Sequence, residues 1–93
     1  MAGLAIKYEW LSHDHICLKS EFHDRSRGYI PMVFECSRLV VKYVAPEGAS
    51  KYGTYVGEVG GKEFVFAMFS LDDMTKEDAD NDIRAFFLSR PSE

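Results

Sequence analysis

The sequence predicts an antiparallel α+β domain, and three observations predict it. Several stretches between residues 4 and 69 alternate apolar and polar side chains or run β-branched and aromatic. One C-terminal stretch repeats its apolar residues at helical spacing, and a Gly60-Gly61 pair separates the two longest strand-like runs. A period of two belongs to a strand with one buried face and a period of 3.6 to a helix with one buried stripe. The expected architecture is a five- to six-stranded, strongly curved or barrel-like sheet with one C-terminal helix packed on it. It forms a single domain over residues 1–93, with strands within 4–69 and the helix over about 75–89.

Leu4, Ile6, Tyr8 and Trp10 alternate with Ala5, Lys7 and Glu9, which defines the first strand. After a polar turn at Ser12 to Asp14, alternation resumes: Ile16, Leu18 and Phe22 point one way, His15, Cys17, Lys19 and Glu21 the other. Asp24 to Gly28 reads as a loop, and Tyr29 to Cys36 as an edge strand or an irregular start, because Pro31 cannot donate to a ladder. Leu39 to Val44 is β-branched and aromatic, and Ala45 to Ser50 is a loop.

Thr54–Val59 and Lys62–Phe69 flank the glycine pair, the signature of a two-residue hairpin turn with positive φ, with a four-residue loop as the alternative. That register places Tyr55 opposite Phe66, Gly57 opposite Phe64, and Glu58 opposite Glu63, the last pair mildly repulsive. The run Phe64 to Phe69 is apolar on both faces. The helix covers one, so the other calls for a second sheet, a barrel wall or another subunit, and a homodimer is compatible with it. In the last element Ala79, Ile83, Phe86 and Phe87 fall on one helical stripe, Thr75 is the expected N-cap, and Pro91 stops the helix.

Composition narrows the function classes. With 46% apolar and 14% aromatic residues the chain can bury a core. No apolar run of about 18 residues is present, so no membrane-spanning helix is expected. Nor do the five residues between Met1 and Lys7 make a secretory signal, so the expectation is a cytoplasmic protein. A net charge of -4 disfavours nucleic acid and anionic membranes as partners. Cys17 and Cys36 are too few for a disulfide framework and read as reduced thiols, the alternative being a bridge between side-by-side strands.

Four motif readings fall short. His13, His15 and Cys17 on one strand face, with His23 further along, are the basis for an alternative reading as a metal-binding protein or small enzyme. Their spacing lacks the paired ligands of closed zinc sites, and a Cys–His nucleophile would need an orienting group and an oxyanion hole. Asp78-Ala79-Asp80-Asn81-Asp82 begins like a calcium loop, but Ile83 stands where Gly is needed and Ser89 where a bidentate Glu is needed. Gly57, Gly60 and Gly61 with Lys62 fail as a phosphate loop at Val56 and Glu63. No cofactor, metal or catalytic residue is assigned, and the chain reads as a non-enzyme.

What stands out is charge. Asp72, Asp73, Glu77, Asp78, Asp80 and Asp82 crowd one segment against Lys76 alone. Helix-dipole complementation accounts for Glu77 and Asp78, less well for the others. The functional expectation is a small acidic protein-binding module, an inhibitor or regulator of the immunity-protein, toxin-antagonist or phage anti-defence type. These six carboxylates would steer it to a partner protein with a basic surface, and Tyr52 and Tyr55 would serve as aromatic anchors.

Overall fold

A computed structural model describes residues 3–22, 33–35 and 38–92. These form strands β1 (Ala5–Ile6), β2 (Tyr8–Trp10), β3 (His15–Leu18), β4 (Val33–Glu35), β5 (Val40–Val44), β6 (Tyr52–Val59) and β7 (Lys62–Ser70), then helix α1 (Lys76–Leu88). The fold class is the expected one: α+β, antiparallel, with one C-terminal helix. The single barrel-like sheet is not formed. Among the described residues the strands divide between a four-stranded sheet in the order β1-β7-β6-β5 and a three-stranded sheet in the order β2-β3-β4, and neither closes.

The reason for the division lies in the first strand. Ile6 pairs with Ala67 on β7, whereas Tyr8 pairs with Leu18 on β3. Lys7 joins the two ladders: its N–H donates to the Phe66 carbonyl at 3.0 Å and its own carbonyl accepts from the Lys19 N–H at 2.7 Å. One alternating segment therefore serves as the edge of both sheets. Leu4, Ile6, Tyr8 and Trp10 all pack on the same core through the switch. Ile16 and Leu18 join them from β3, but Phe22 lies in the 3-10 turn Ser20–Phe22, 37% exposed, with the Lys7 ammonium 5.9 Å from its ring centre. The expected strand Tyr29–Cys36 is seen as Val33–Glu35; its other residues, and the Asp24–Gly28 loop, lie outside the described part of the chain.

The glycine hairpin has the expected turn. Gly60 and Gly61 adopt φ of 59° and 81°, the positive region a two-residue connection needs. Val59 pairs with Lys62, Glu58 with Glu63 and Gly57 with Phe64. Beyond Val56–Val65 the register shifts, and Tyr55 faces Ala67 instead of Phe66. Phe66 is thus the extra residue of a β-bulge, which leaves it and Ala67 both fully buried. Side-chain parity reverses there, so Phe64, Phe66, Ala67 and Phe69 all reach the core and leave Val65 and Met68 on the outer face. The bulge removes the need for a second apolar layer that simple alternation across Phe64–Phe69 implied. The Glu58–Glu63 repulsion is relieved in part by the Lys42 ammonium, 3.7 Å from Glu63.

Two β6 glycines make room for aromatic rings. A Cβ at Gly57 would sit 2.6 Å from the Phe64 ring, and one at Gly53 would sit 2.6 Å from the Phe69 ring. Above this floor lies α1. Thr75 caps it by accepting the Asp78 N–H at 3.1 Å, and Ser89 closes it with its N–H on the Ala85 and Phe86 carbonyls. Ala79 and Ile83 are buried, Phe86 stacks on Trp10 at 5.1 Å, and Phe87 stacks on Phe66 at 5.9 Å. The Trp10 indole N–H donates to the Phe86 carbonyl at 2.9 Å, which ties the helix end to the first strand.

This packing predicts a graded response to truncation. Phe66→Ala and Ile83→Ala should each cost about 2 to 5 kcal/mol in denaturant unfolding. Leu88→Ala, at a site 82% exposed, should change stability by no more than about 0.5 kcal/mol.

Candidate functional site

Two surface regions bring together chemistry-bearing side chains. The first is a groove of about 380 Å³ between β5 and α1, lined by Val41, Tyr43, Tyr55, Lys76, Asp80, Ile83, Arg84 and Phe87. Its floor is the inward face of β5 and β6. Its far wall is the helix flank on which Lys76, Asp80 and Arg84 recur at a spacing of four.

Tyr55 and Asp80 hold the groove's polar centre. The Tyr55 hydroxyl donates to Asp80, whose other oxygen accepts from the Lys76 ammonium at 2.8 Å. Lys76 also lies over the Tyr43 ring, 5.2 Å from its centre. The Lys76 and Tyr55 hydrogen bonds hold the Asp80 carboxyl below its ordinary value of 3.8. Burial, and then the Asp80 hydrogen bond and charge, push the Tyr55 hydroxyl above its ordinary value of 10.0. Arg84, which could pair with Asp80 at the same spacing, makes no ion pair within 4.0 Å among the described residues.

The second region is the turn that carries β7 into α1. Leu71 donates its N–H to the Lys51 carbonyl at 2.8 Å, which holds the turn against the start of β6. Tyr52 is 56% exposed there and Leu71 42% exposed. Tyr52 and Asp73 line a hollow of about 360 Å³ with Gly3, Ala5, Met68 and Ser70. Asp72 lies 3.2 Å from the Lys51 ammonium.

The six carboxylates expected to act as one patch occupy separate settings. Asp72 is paired with Lys51, and Asp80 is turned into the groove. Glu77 and Asp78 lie exposed in the first helical turn. Asp82 is one turn beyond Asp78 on the flank away from Asp80, and Asp73 stands in the turn beside Tyr52. The two tyrosines part company as well: Tyr52 projects outward, while Tyr55 is 4% exposed and belongs to the core. Its burial follows from the odd-numbered face of β6, which meets α1. The sequence suggests an Asp80–Arg84 pair and counts Tyr43 among its many tyrosines, but it does not reveal the groove that brings them together. The spacing of Lys76, Asp80 and Arg84 was the available signal, but which flank of the helix meets β5 depends on long-range packing.

The described histidines and cysteine of the alternative reading each have a hydrogen-bond partner. His13 donates from Nδ1 to the Pro91 carbonyl at 2.8 Å, and the Arg90 guanidinium donates to the His13 carbonyl at 2.5 Å. His15 Nδ1 is 3.1 Å from the Ser12 hydroxyl. Cys17 is a free thiol 3.8 Å from Glu9, and burial followed by the Glu9 charge pushes it above its ordinary value of 9.0. That shift is opposite to the one a nucleophile or a metal ligand requires. His23 and Cys36 lie outside the described residues, and among those described no three His, Cys, Asp or Glu side chains are grouped to hold a metal ion.

Among the described residues no helix is long and apolar enough to cross a membrane. Comparison with protein-family models, curated proteins and solved structures found no match.

The Tyr55–Asp80 contact predicts two pH limbs. Tyr55 has its proton affinity raised on folding, so its contribution is whole below pH 10.0 and is lost as pH climbs through the raised value. Asp80 has its affinity lowered, so its contribution is whole above pH 3.8 and is lost as pH falls through the depressed value. Tyr55→Phe should cost about 1 kcal/mol near neutrality and flatten the alkaline limb. Asp80→Asn should flatten the acid limb. Melting temperature followed across pH in the two variants separates these effects.

Proposed function

We propose that this chain is a small protein-binding module, without catalytic activity, that inhibits or regulates a partner with a basic surface. Immunity proteins, toxin antagonists and phage anti-defence proteins work in this way. The observation that carries the reading is the outward-facing Tyr52 beside Leu71 and Asp73. A tyrosine and a leucine left this exposed at the edge of a small domain supply large contact area at low entropic cost. Carboxylates beside such an anchor orient the encounter with a positive surface and raise its rate.

The steering set is narrower than the whole acidic segment. Asp73, Glu77, Asp78 and Asp82 are exposed, with no ion pair within 4.0 Å among the described residues, so their field reaches solvent. Asp72 contributes less because Lys51 neutralises it, and Asp80 serves the groove. A plug of this kind needs to bury only about 800 Å² on each partner.

The chain, immobilised through an engineered tag, should retain a basic partner from its native host. Changing Asp73, Asp78 and Asp82 together to Lys should slow association with the isolated partner about tenfold at low salt and flatten the salt dependence, with dissociation little altered. Tyr52→Ala should instead accelerate dissociation. Unchanged rates in both variants would remove the proposal.

A further inference from the structure

We infer that the β5 edge and the groove beside it accept an extended segment of another protein as an added strand. That segment would carry a bulky apolar residue and an acidic residue two positions apart. Three observations converge on this. First, β5 ends the order β1-β7-β6-β5, and no strand pairs with its outer side among the described residues, so half of its backbone groups face away from β6. Second, the groove runs along this same edge. It shows an incoming strand the side chains of Val41 and Tyr43 from β5 and Phe87 from α1, apolar and only partly buried. Third, the groove carries charge opposite in sign to the chain as a whole. Lys76 and Arg84 face one carboxylate, Asp80, whose oxygens are taken by Tyr55 and Lys76. Arg84 is left exposed, without an ion-pair partner among the described residues.

These features fix the chemistry of the occupant. A strand added to an edge is held by main-chain hydrogen bonds and recognised through alternate side chains. Same-face residues on such a strand are about 7 Å apart. The residue that enters the apolar part of the groove is therefore apolar, and a same-face neighbour that reaches Arg84 is acidic. A second copy of this chain fits poorly. Antiparallel self-pairing about the centre of β5 would set Lys42 directly against its own counterpart, the kind of edge charge that discourages such pairing. This surface is separate from Tyr52 and Asp73, so the inference does not rest on the proposal above.

The probe is a displayed library of random peptides long enough to span β5, selected on the intact chain. The expected result is enrichment of peptides with an apolar residue and Asp or Glu at positions i and i+2. In the isotope-labelled protein their binding should shift the amide signals of residues 40–44 and of Arg84. Arg84→Glu, a surface change that leaves the core alone, should weaken these peptides about five- to tenfold. Replacing their acid by Lys should restore binding to that variant. Methylation of alternate peptide nitrogens should abolish binding to the wild-type protein, because it removes the main-chain donors. The inference is overturned if no such pattern is enriched, or if the selected peptides bind Arg84→Glu and wild type alike. It is equally overturned if concentration-dependent amide shifts and sedimentation show β5 occupied by a second copy. Failure at Arg84 would leave the Tyr52 and Asp73 kinetics untouched, and the reverse also holds.

Discussion

The structure depends on one residue's backbone. Lys7 gives its N–H to Phe66 in the four-stranded sheet and its carbonyl to Lys19 in the three-stranded sheet, so a single strand is the shared border of two ladders. A peptide unit has one donor and one acceptor, and both must be satisfied when water is excluded. Spending them on different sheets forces the sheets to meet at that point. The core then fills the angle between them: Tyr8 lies against Phe64 and Phe66, and Trp10 lies against Phe86 and Phe87. The bulge at Phe66 belongs to the same arrangement, since the carbonyl that Lys7 meets is that of the bulged residue. Two irregularities, each costly alone, are satisfied by one hydrogen bond.

Local features of the fold were legible and non-local ones were not. The Thr75 cap, the helical stripe Ala79–Ile83–Phe86–Phe87 and the Gly60-Gly61 turn depend on neighbours within one turn of chain, and the structure has all three. The Gly57–Phe64 pair followed from that turn and is present. Beyond the Val56–Val65 pair the register slips, because the carbonyl of the bulged Phe66 meets Lys7, 59 residues earlier in the chain. Alternation along Phe64–Phe69 cannot reveal a bulge when every side chain in the run is apolar. The same limit applied at the surface: Tyr52 and Tyr55 look alike in sequence, and only the pairing of β6 shows that one faces solvent and the other Asp80.

Charge is divided by task in the segment from Asp72 to Asp82. Asp72 fastens the turn to the start of β6, Glu77 and Asp78 lie at the positive end of the helix, and Asp80 accepts the one hydroxyl that α1 lowers itself onto. The groove consequently stays positive on a chain whose net charge is -4. Opposite signs therefore occur on separate faces of a very small domain, so net charge alone says little about which partner meets which face.

The clasp between the β2–β3 region and the end of α1 has a consequence for synthesis. Trp10 is bonded to Phe86, and His13 to Pro91, across 76 and 78 residues of sequence. β1 has no ladder until β7 exists, and β7 has no cover until α1 follows. Contacts of such long range must be bought with loop-closure entropy before they stabilise anything, which slows folding. During synthesis β1 would wait until α1 had emerged. Maturation therefore waits on α1, and a product cut short before residue 86 would display Trp10 and Phe66 to the cell's quality control.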